Sequence, residues 1–151
     1  MEDFIVDICS YLIDNINNEI SLEELENYFH YNRFYIIRLF KENTGYTITE
    51  FINLVRVLKS TDSLIYTNDT ILKIALSNGY NSQEYYSEKF NNIIGMSPLK
   101  FRKIYTNLNK IEDKEKLIEL QNYYTFIKDY QNRVLDLNNK NYTKRLVRIA
   151  K

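Results

Sequence analysis

The stretch NSQEYYSEKFNNIIGMSPLKFR, residues 81–102, contains the signals that organise the chain. Asn81 and Ser82 are typical of a helix start, and Gly95 is typical of a helix end, because glycine readily takes the left-handed backbone found just past a helix. Ser97 then suits the N-cap of a second helix, with Pro98 in its first turn, where a missing N–H costs nothing. The first of these helices is predicted to carry its apolar side chains at Tyr85, Tyr86, Phe90 and Ile93.

An earlier segment, residues 21–45, repeats the layout of residues 70–95. Each segment has a Ser or Thr cap, a short helix, a turn, and a second helix with a phenylalanine, Phe40 or Phe90, five positions before a glycine. Gly79 lies between two short helices, where a tight turn is needed. Two short helices joined by a tight turn, occurring twice, predict a pair of helix-turn-helix units.

Residues 71–80 read ILKIALSNGY, and residues 90–102 read FNNIIGMSPLKFR. At this spacing they resemble the two signatures of the AraC/XylS-type DNA-binding domain, I-x-x-I-A-x-x-x-G-[FY] and F-x-x-x-x-G-M-[ST]-P-x-x-[FY]-R. The resemblance covers about residues 19–102. It implies an all-α fold, with two helix-turn-helix subdomains joined by a long linker helix, in a bacterial transcription regulator. We expect this DNA-binding domain over residues 1–106 and a C-terminal helical extension over residues 107–151.

Apolar periodicity and cap residues predict eight helices in the first 137 residues. A break at residues 138–141 and a short amphipathic helix at 142–151 follow them. The resemblance implies that the first helix packs on the first helix-turn-helix unit. The predicted helices span residues 2–17, 21–29, 33–43, 47–66, 70–78, 82–94, 97–106 and 112–137.

The helix predicted at residues 112–137 lies beyond the resemblance and carries one apolar stripe. Two roles for it stay open: a strut packed on the first or the seventh helix, or a homodimer contact through residues 112–137. Two to three heptads are short for a coiled coil. The stripe comprises Leu117, Leu120, Tyr124, Ile127 and Val134, with Gln131 as its one polar member.

The 151-residue chain has a formal net charge of zero, unevenly distributed. Residues 1–18 contain four acidic residues and no Lys or Arg; residues 19–102 have a balance of −1, and residues 103–151 a balance of +5. A nucleic-acid-binding surface usually needs basic residues to neutralise phosphates. DNA binding would therefore depend on where the few basic side chains lie, with the basic tail as a source of nonspecific phosphate contacts.

Catalytic and metal-binding chemistry have little support in the sequence. Cys9 lies on an apolar helix face, typical of a buried small hydrophobe, and one Cys and one His far apart do not predict a metal site or a nucleophile. We expect no cofactor and no enzymatic activity. Apolar runs stay well short of a membrane span, and the N-terminus lacks the basic start of a signal peptide, so a cytoplasmic location is expected.

In a helix-turn-helix unit the second helix enters the major groove, and its outward face contacts base edges. The resemblance places Phe34, Ile37 and Arg38 on that face in the first unit, with Arg33 and Lys41 as phosphate contacts. Arg38 suits a bidentate contact to guanine or a phosphate contact, and the alternative is a solvated surface charge. Phe34 and Ile37 suit thymine methyl groups.

The matching positions of the second unit are less basic. Gln83 suits adenine, whereas Glu88 and Asn91 stand where the family usually has Arg and Lys. A carboxylate facing the DNA backbone is repulsive unless it accepts a hydrogen bond from a cytosine amino group. We therefore predict a weaker second recognition helix. Its candidate DNA-binding residues are Ser82, Gln83, Glu84, Ser87, Glu88 and Asn91.

Two residues of the first unit also depart from the family. Glu26 stands where the family has Ala between the two helices, and a buried carboxylate there needs a partner, for which Arg33 and Arg38 are candidates. His30 stands where the turn usually has Gly, and we predict that it is a turn residue rather than a ligand or a base.

Two functions are consistent with these features. The first is a sequence-specific transcription regulator with both recognition helices in successive major grooves of double-stranded DNA, roughly 34 Å apart; regulators of this type often also touch RNA polymerase. The second is an AraC-like protein-interaction module with weakened or lost DNA binding that acts on another regulator or on RNA polymerase. Glu26, Glu88, Asn91 and the near-zero charge favour the second. Reversing the charge of Glu88 distinguishes them.

Overall fold

A computed structural model describes residues 2–135 of the chain, and within them the secondary structure is entirely helical. The all-α class is thereby confirmed. The eight α-helices are α1 (Glu2–Asp14), α2 (Leu22–Phe29), α3 (Arg33–Thr44), α4 (Ile48–Tyr66), α5 (Ile71–Ser77), α6 (Gln83–Ile94), α7 (Pro98–Tyr105) and α8 (Lys114–Leu135). A single 3-10 turn, Leu108–Lys110, was not predicted.

Helix boundaries differ from the predicted ones chiefly at the caps. The predicted spans included the cap residues, whereas Ser21, Thr70, Ser82 and Ser97 lie just outside their helices and accept a hydrogen bond from the backbone N–H three positions on. The first helix ends at Asp14 rather than at residue 17, because the backbone N–H groups of Ile16 and Asn18 donate to carbonyls only three positions back, which is one position short of the α-helical pattern. The predicted break at 138–141 and helix at 142–151 lie outside the described residues.

Two compact units make up the described chain, and they divide within α4, between residues 55 and 56. The first unit comprises residues 2–55 together with 133–135, and the second comprises residues 56–132. Each contains one helix-turn-helix, α2–α3 or α5–α6. The assignment of residues 107–151 as a separate extension stays a prediction.

The packing inside the first unit is repeated inside the second, in keeping with the sequence repeat. In the first unit the rings of Phe40 and Phe51 meet edge to face at a centroid distance of 5.5 Å and an interplanar angle of 75°. Phe90 and Phe101 meet at the same distance and angle in the second unit. Each pair fixes a recognition helix against the helix that follows it, and all four rings are buried.

The core of the first unit forms from one face of α1 and the inner faces of α2 to α4. Contacts between α1 and α3 and an edge-to-face pair of Phe4 and Phe29 confirm that the first helix packs on this helix-turn-helix. Cys9 is buried, as predicted, and burial raises the pKa of its thiol to about 12. The buried apolar residues include Ile5, Ile8, Leu12, Leu25, Ile36, Leu39, Phe40, Phe51 and Val55.

The core of the second unit contains one polar link between buried side chains. The Tyr86 hydroxyl donates a 2.7 Å hydrogen bond to Ser60 Oγ on α4. Tyr86, Phe90 and Ile94 form the buried stripe of α6, whereas Tyr85, predicted on the same face, is 43% exposed. Tyr85 precedes Tyr86 by one position, and adjacent helical residues point about 100° apart, so one of the two tyrosines lies towards solvent.

Helix α8 packs on the second unit. Tyr124 contacts the ring of Tyr105 on α7, and the hydroxyl of Tyr123 donates to the carbonyl of Ile94. Lys128 forms an ion pair with Asp62 on α4, and the Gln131 amide donates to the same carboxylate at 2.8 Å.

These contacts favour the strut interpretation of α8, with α7 as one of its supports. Gln131, the one polar member of the stripe, is buried but satisfied. Self-association through residues 112–137 stays a prediction; it would use side chains outside the packed stripe, such as Ile118 and Phe126, which are exposed.

The turn between α2 and α3 passes through His30, which has a left-handed backbone, φ 60° and ψ 35°. Its N–H donates to the Glu26 carbonyl at 2.8 Å and so ends α2. Gly45 ends α3 in the same way with φ 80°. The prediction that His30 is the turn residue is thus confirmed, in a conformation that suits glycine better than an L side chain.

Replacing His30 with glycine is expected to raise the free energy of unfolding of the first unit by roughly 1 kcal/mol, because glycine takes the left-handed backbone without the Cβ clash. Urea unfolding of the full chain measures this change. The matched control is His30→Ala, which loses the imidazole and keeps the Cβ, and it should give no gain. A loss of stability in His30→Gly would show that contacts of the imidazole outweigh the backbone strain.

Candidate nucleic-acid interface

The outward face of α3 brings together the side chains predicted for the first unit. Phe34, Ile37, Arg38 and Lys41 follow the three- and four-residue spacing of one helix face, opposite the buried Ile36, Leu39 and Phe40. Phe34 is 74% exposed, which is unusual for a phenylalanine. This face therefore presents an apolar ring beside two cations.

Arg38 is the least constrained cation of this face. Its side chain is 67% exposed, and its Nε lies 4.0 Å from a carboxylate oxygen of Glu42, a loose pair on the same helix. Its guanidinium lies 5.8 Å from the centroid of the Tyr35 ring. Tyr35 was not predicted as part of the site; its ring lies beside the Arg38 guanidinium, which stays largely exposed to solvent.

The other two predicted phosphate contacts of α3 have partners inside the protein. Lys41 Nζ donates to the Gly45 carbonyl at 2.8 Å, at the C-terminus of its own helix, and lies 3.9 Å from Glu50. Arg33 forms an ion pair with Glu26, whose side chain is 25% exposed. The predicted need of Glu26 for a partner is confirmed, with Arg33 rather than Arg38 in that role. The side-chain and backbone hydrogen bonds from Arg33 lower the pKa of the Glu26 carboxyl.

The outward face of α6 is polar and carries negative charge. Gln83, Glu84, Glu88 and Asn91 are exposed, and Ser87 is half-buried beside them. Ser82 uses its Oγ to accept the backbone N–H of Tyr85 at 3.2 Å as the N-cap of the helix. Its O–H remains available as a donor while its oxygen caps the helix.

The one basic residue of α6 is Lys89, which the prediction missed. Its Nζ lies 5.2 Å from the centroid of the Tyr85 ring. Lys89 follows Glu88 by one position, which is about 100° away around the helix, so its cation lies beside Tyr85 rather than among the outward side chains. The signal that could have found it is the simple presence of a single Lys in a predicted recognition helix.

A different face of the first unit is unsuited to DNA. A groove of about 820 Å³ between α1 and α2 is lined by the carboxylates of Asp7 and Asp14 and by the rings of Tyr11, Tyr28 and Phe29. The first 32 residues of the chain contain no Lys or Arg. Phosphates would be repelled from this side, which leaves the α3 face as the DNA-binding candidate of the unit.

Two helix-turn-helix units of this geometry match a known family. The model of the helix-turn-helix domain family matches residues 25–104, more than half of the chain. The chain belongs to the AraC/XylS-type helix-turn-helix family. Members of the AraC/XylS type are DNA-binding domains of transcription regulators rather than enzymes. The fold is the tandem helix-turn-helix fold of this family, as the sequence predicts.

Three AraC/XylS-type relatives indicate how far the likeness extends. The TetD protein of transposon Tn10 from Escherichia coli is 31% identical over 99 residues, covering 66% of this chain and 72% of TetD. An uncharacterised helix-turn-helix regulator from Staphylococcus aureus is 28% identical over 101 residues, which are 67% of this chain but 14% of that protein. The crystal structure of the DNA-binding domain of AdpA, a global transcriptional factor, in complex with a target DNA aligns with a TM-score of 0.62 at 20% identity, over 67% of this chain and 91% of that one.

Two further features of residues 2–135 bear on the kind of site. None of the helices in this range is both long and apolar enough to cross a membrane. Over the same range, no group of three or more His, Cys, Asp or Glu side chains is arranged to hold a metal ion.

Proposed function

We propose that this protein is a sequence-specific transcription regulator that places α3 and α6 in successive major grooves on one face of double-stranded DNA. The observation that carries the proposal is the outward face of α3, where an exposed phenylalanine and a solvent-facing arginine lie on one side of a recognition helix. The AdpA domain, which shares the fold, is in complex with a target DNA. A cytoplasmic location and contact with RNA polymerase belong to this proposal.

In this proposal α3 is the stronger of the two recognition helices. Arg38 donates two hydrogen bonds to one guanine or grips a phosphate, and Phe34 and Ile37 pack against thymine methyl groups. Lys41 adds a phosphate contact beside Gly45. Most of the affinity for DNA comes from the cations, whereas Phe34 contributes a preference for particular bases.

The second helix contributes less affinity. Gln83 suits an adenine edge, and Asn91 donates to a phosphate without adding charge. Glu84 and Glu88 repel the backbone unless one of them accepts from a cytosine amino group.

Glu88→Arg is expected to tighten binding to duplex DNA about tenfold at low salt and to steepen the dependence of affinity on salt, because it replaces a repulsive charge with a phosphate ligand. Fluorescence anisotropy of a labelled duplex at several salt concentrations measures both quantities. The matched control is Glu119→Arg on the exposed surface of α8, which makes the same change in net charge away from the recognition helix. An equal gain in both variants would reduce the effect to overall charge.

The alternative is a protein-interaction module, and the exposed carboxylates of α6 are the observation in its favour. Such a face suits a basic surface of another regulator or of RNA polymerase. If Glu88→Arg and Arg38→Ala both leave DNA binding unchanged, the DNA-binding proposal fails and this alternative replaces it.

A further inference from the structure

Glu26 binds the first residue of the first recognition helix, Arg33, through two hydrogen bonds and an ion-pair contact. Its Oε1 accepts from Arg33 Nε at 2.9 Å and lies 2.6 Å from Nη2 of the same guanidinium. Its Oε2 accepts the backbone N–H of Arg33 at 3.0 Å. Both carboxylate oxygens are thus engaged, and they bridge α2 to the first residue of α3.

The donors that Glu26 occupies are those that a DNA phosphate would use. Phosphates bind to guanidinium groups in a bidentate manner and to the free N–H groups at helix N-termini. A carboxylate has the same negative charge and the same paired acceptors as the two free oxygens of a phosphodiester. The next N–H, that of Phe34, is already bonded to Asn32 Oδ1 at 2.8 Å.

We propose that Glu26 is an affinity-determining residue that withholds Arg33 and the N-terminus of α3 from the DNA backbone. This inference rests on the proposed function, since it concerns how tightly α3 binds DNA. The first unit then makes one phosphate contact fewer than its basic residues would allow. Sequence preference then comes from the other outward side chains of the helix, the exposed Phe34 and Arg38 and the half-buried Ile37.

The effect of Glu26 on DNA affinity comes from charge cancellation more than from the strength of its ion pair with Arg33. The Arg33 and Glu26 side chains are 41% and 25% exposed, so the pair by itself is only moderately strong. If Arg33 stays on Glu26, it neutralises no phosphate. If it turns to a phosphate, it leaves an uncompensated carboxylate beside that phosphate. In either arrangement the net charge of the pair is zero, and no counterion is released on its account. Because Arg33 lowers the pKa of Glu26, the carboxylate stays ionised at neutral pH.

The test is a double-mutant cycle on the full chain with Glu26→Gln, Arg33→Ala and both together. Glutamine keeps an oxygen for the Arg33 N–H and removes the charge. The probe is a labelled pool of random-sequence duplexes, titrated between 50 and 300 mM KCl. We expect Glu26→Gln to steepen the slope of log affinity against log salt by about 0.9, the value for one phosphate. With that change in slope, the affinity of Glu26→Gln relative to the wild type is about eightfold higher at 0.1 M salt than at 1 M salt.

Arg33→Ala should remove the whole gain in the Glu26→Gln background, because the two positions then again have no net charge. In the wild-type background the same substitution leaves the Glu26 carboxylate uncompensated and should weaken binding. The matched control is Glu23→Gln, which removes a charge from the exposed side of the same helix α2 and should leave the slope unchanged. If urea unfolding shows that Glu26→Gln is unstable, Glu26→Ala replaces it in the cycle.

Three outcomes overturn the inference in distinguishable ways. Weaker binding by Glu26→Gln than by the wild type would mean that Glu26 orients Arg33 towards a phosphate. Equal gains for Glu23→Gln and Glu26→Gln would reduce the effect to net charge. Both leave the proposed function standing. If neither the wild type nor any variant binds the pool at 50 mM KCl, the proposed function fails together with this role of Glu26.

Discussion

Replacing Arg102 with alanine is expected to lower the free energy of unfolding of the second unit by about 2 kcal/mol, the typical loss for a hydrogen bond from a charged group. Leu64 lies in the last turn of α4, where carbonyls have no partner within the helix. Arg102 Nε donates to that carbonyl at 2.8 Å, and Nη2 lies 3.4 Å from the carbonyl of Thr67. The side chain of the arginine that ends the family signature thus caps the C-terminus of the linker helix α4.

Urea unfolding of the full chain, followed by tyrosine fluorescence, measures the loss, and hydrogen exchange at α4 locates it. The matched control is Lys103→Ala, which removes a neighbouring cation of α7 that is exposed. Exposed substitutions usually change stability by less than about 0.5 kcal/mol. If the free energy of unfolding falls by the same amount in both variants, the three contacts of Arg102 with the carbonyls of Ser63, Leu64 and Thr67 have no special role.

Replacing Arg38 with alanine is expected to weaken binding to a selected DNA site by about 10- to 100-fold, the range for losing a good bidentate contact to guanine. Arg38 faces solvent on the α3 surface and has only a loose pair with Glu42. The loss should be greatest at one base position of the site, because a base contact specifies sequence and a phosphate contact does not. Folding should change by less than about 0.5 kcal/mol.

Anisotropy titrations against the selected site and against single-base variants of it distinguish the two roles of Arg38. Glu42→Ala is the matched control, since it removes the nearby carboxylate and leaves the cation in place; its affinity should be equal or slightly higher. A uniform loss across all sequences would assign Arg38 to a phosphate. If Arg38→Ala loses no affinity at all, Arg38 is a solvated surface charge, and the α3 face lacks its principal DNA contact.

The helices and their caps could be predicted from sequence because their causes are local. Ser21, Thr70, Ser82 and Ser97 each accept a backbone N–H three residues on, which involves only neighbouring residues. The repeat of Phe40 and Phe90 before a glycine likewise predicted two helix-turn-helix units of the same layout.

The outward face of each recognition helix could also be predicted, because helical period alone separates it from the buried face. The partner of each charged side chain on that face could not be predicted. Lys41 donates to the Gly45 carbonyl, and Arg33 binds Glu26 across a turn. Such choices depend on distances between side chains of different elements, which residue spacing does not encode.

The packing of α8 shows the same limit at a larger scale. Its apolar stripe predicts a buried face but not the surface that buries it. In the structure Tyr124 meets Tyr105, and Lys128 and Gln131 share the Asp62 carboxylate, 66 and 69 positions away in the chain. The role of Arg102 could not be predicted either, since its acceptor carbonyls, at the end of α4 and just after it, lie 35 to 39 positions earlier in the chain.

The central claim is that this chain recognises a DNA sequence through α3, with weaker help from α6. Selection from a pool of random duplexes, with sequencing of the retained fraction and a salt titration of the enriched site, tests it most directly. We expect a bipartite motif with its two halves one helical turn apart, a more strongly specified half assigned to α3 by the Arg38→Ala variant, and an affinity that falls steeply as salt rises. No enriched sequence and negligible binding even at low salt would contradict the claim.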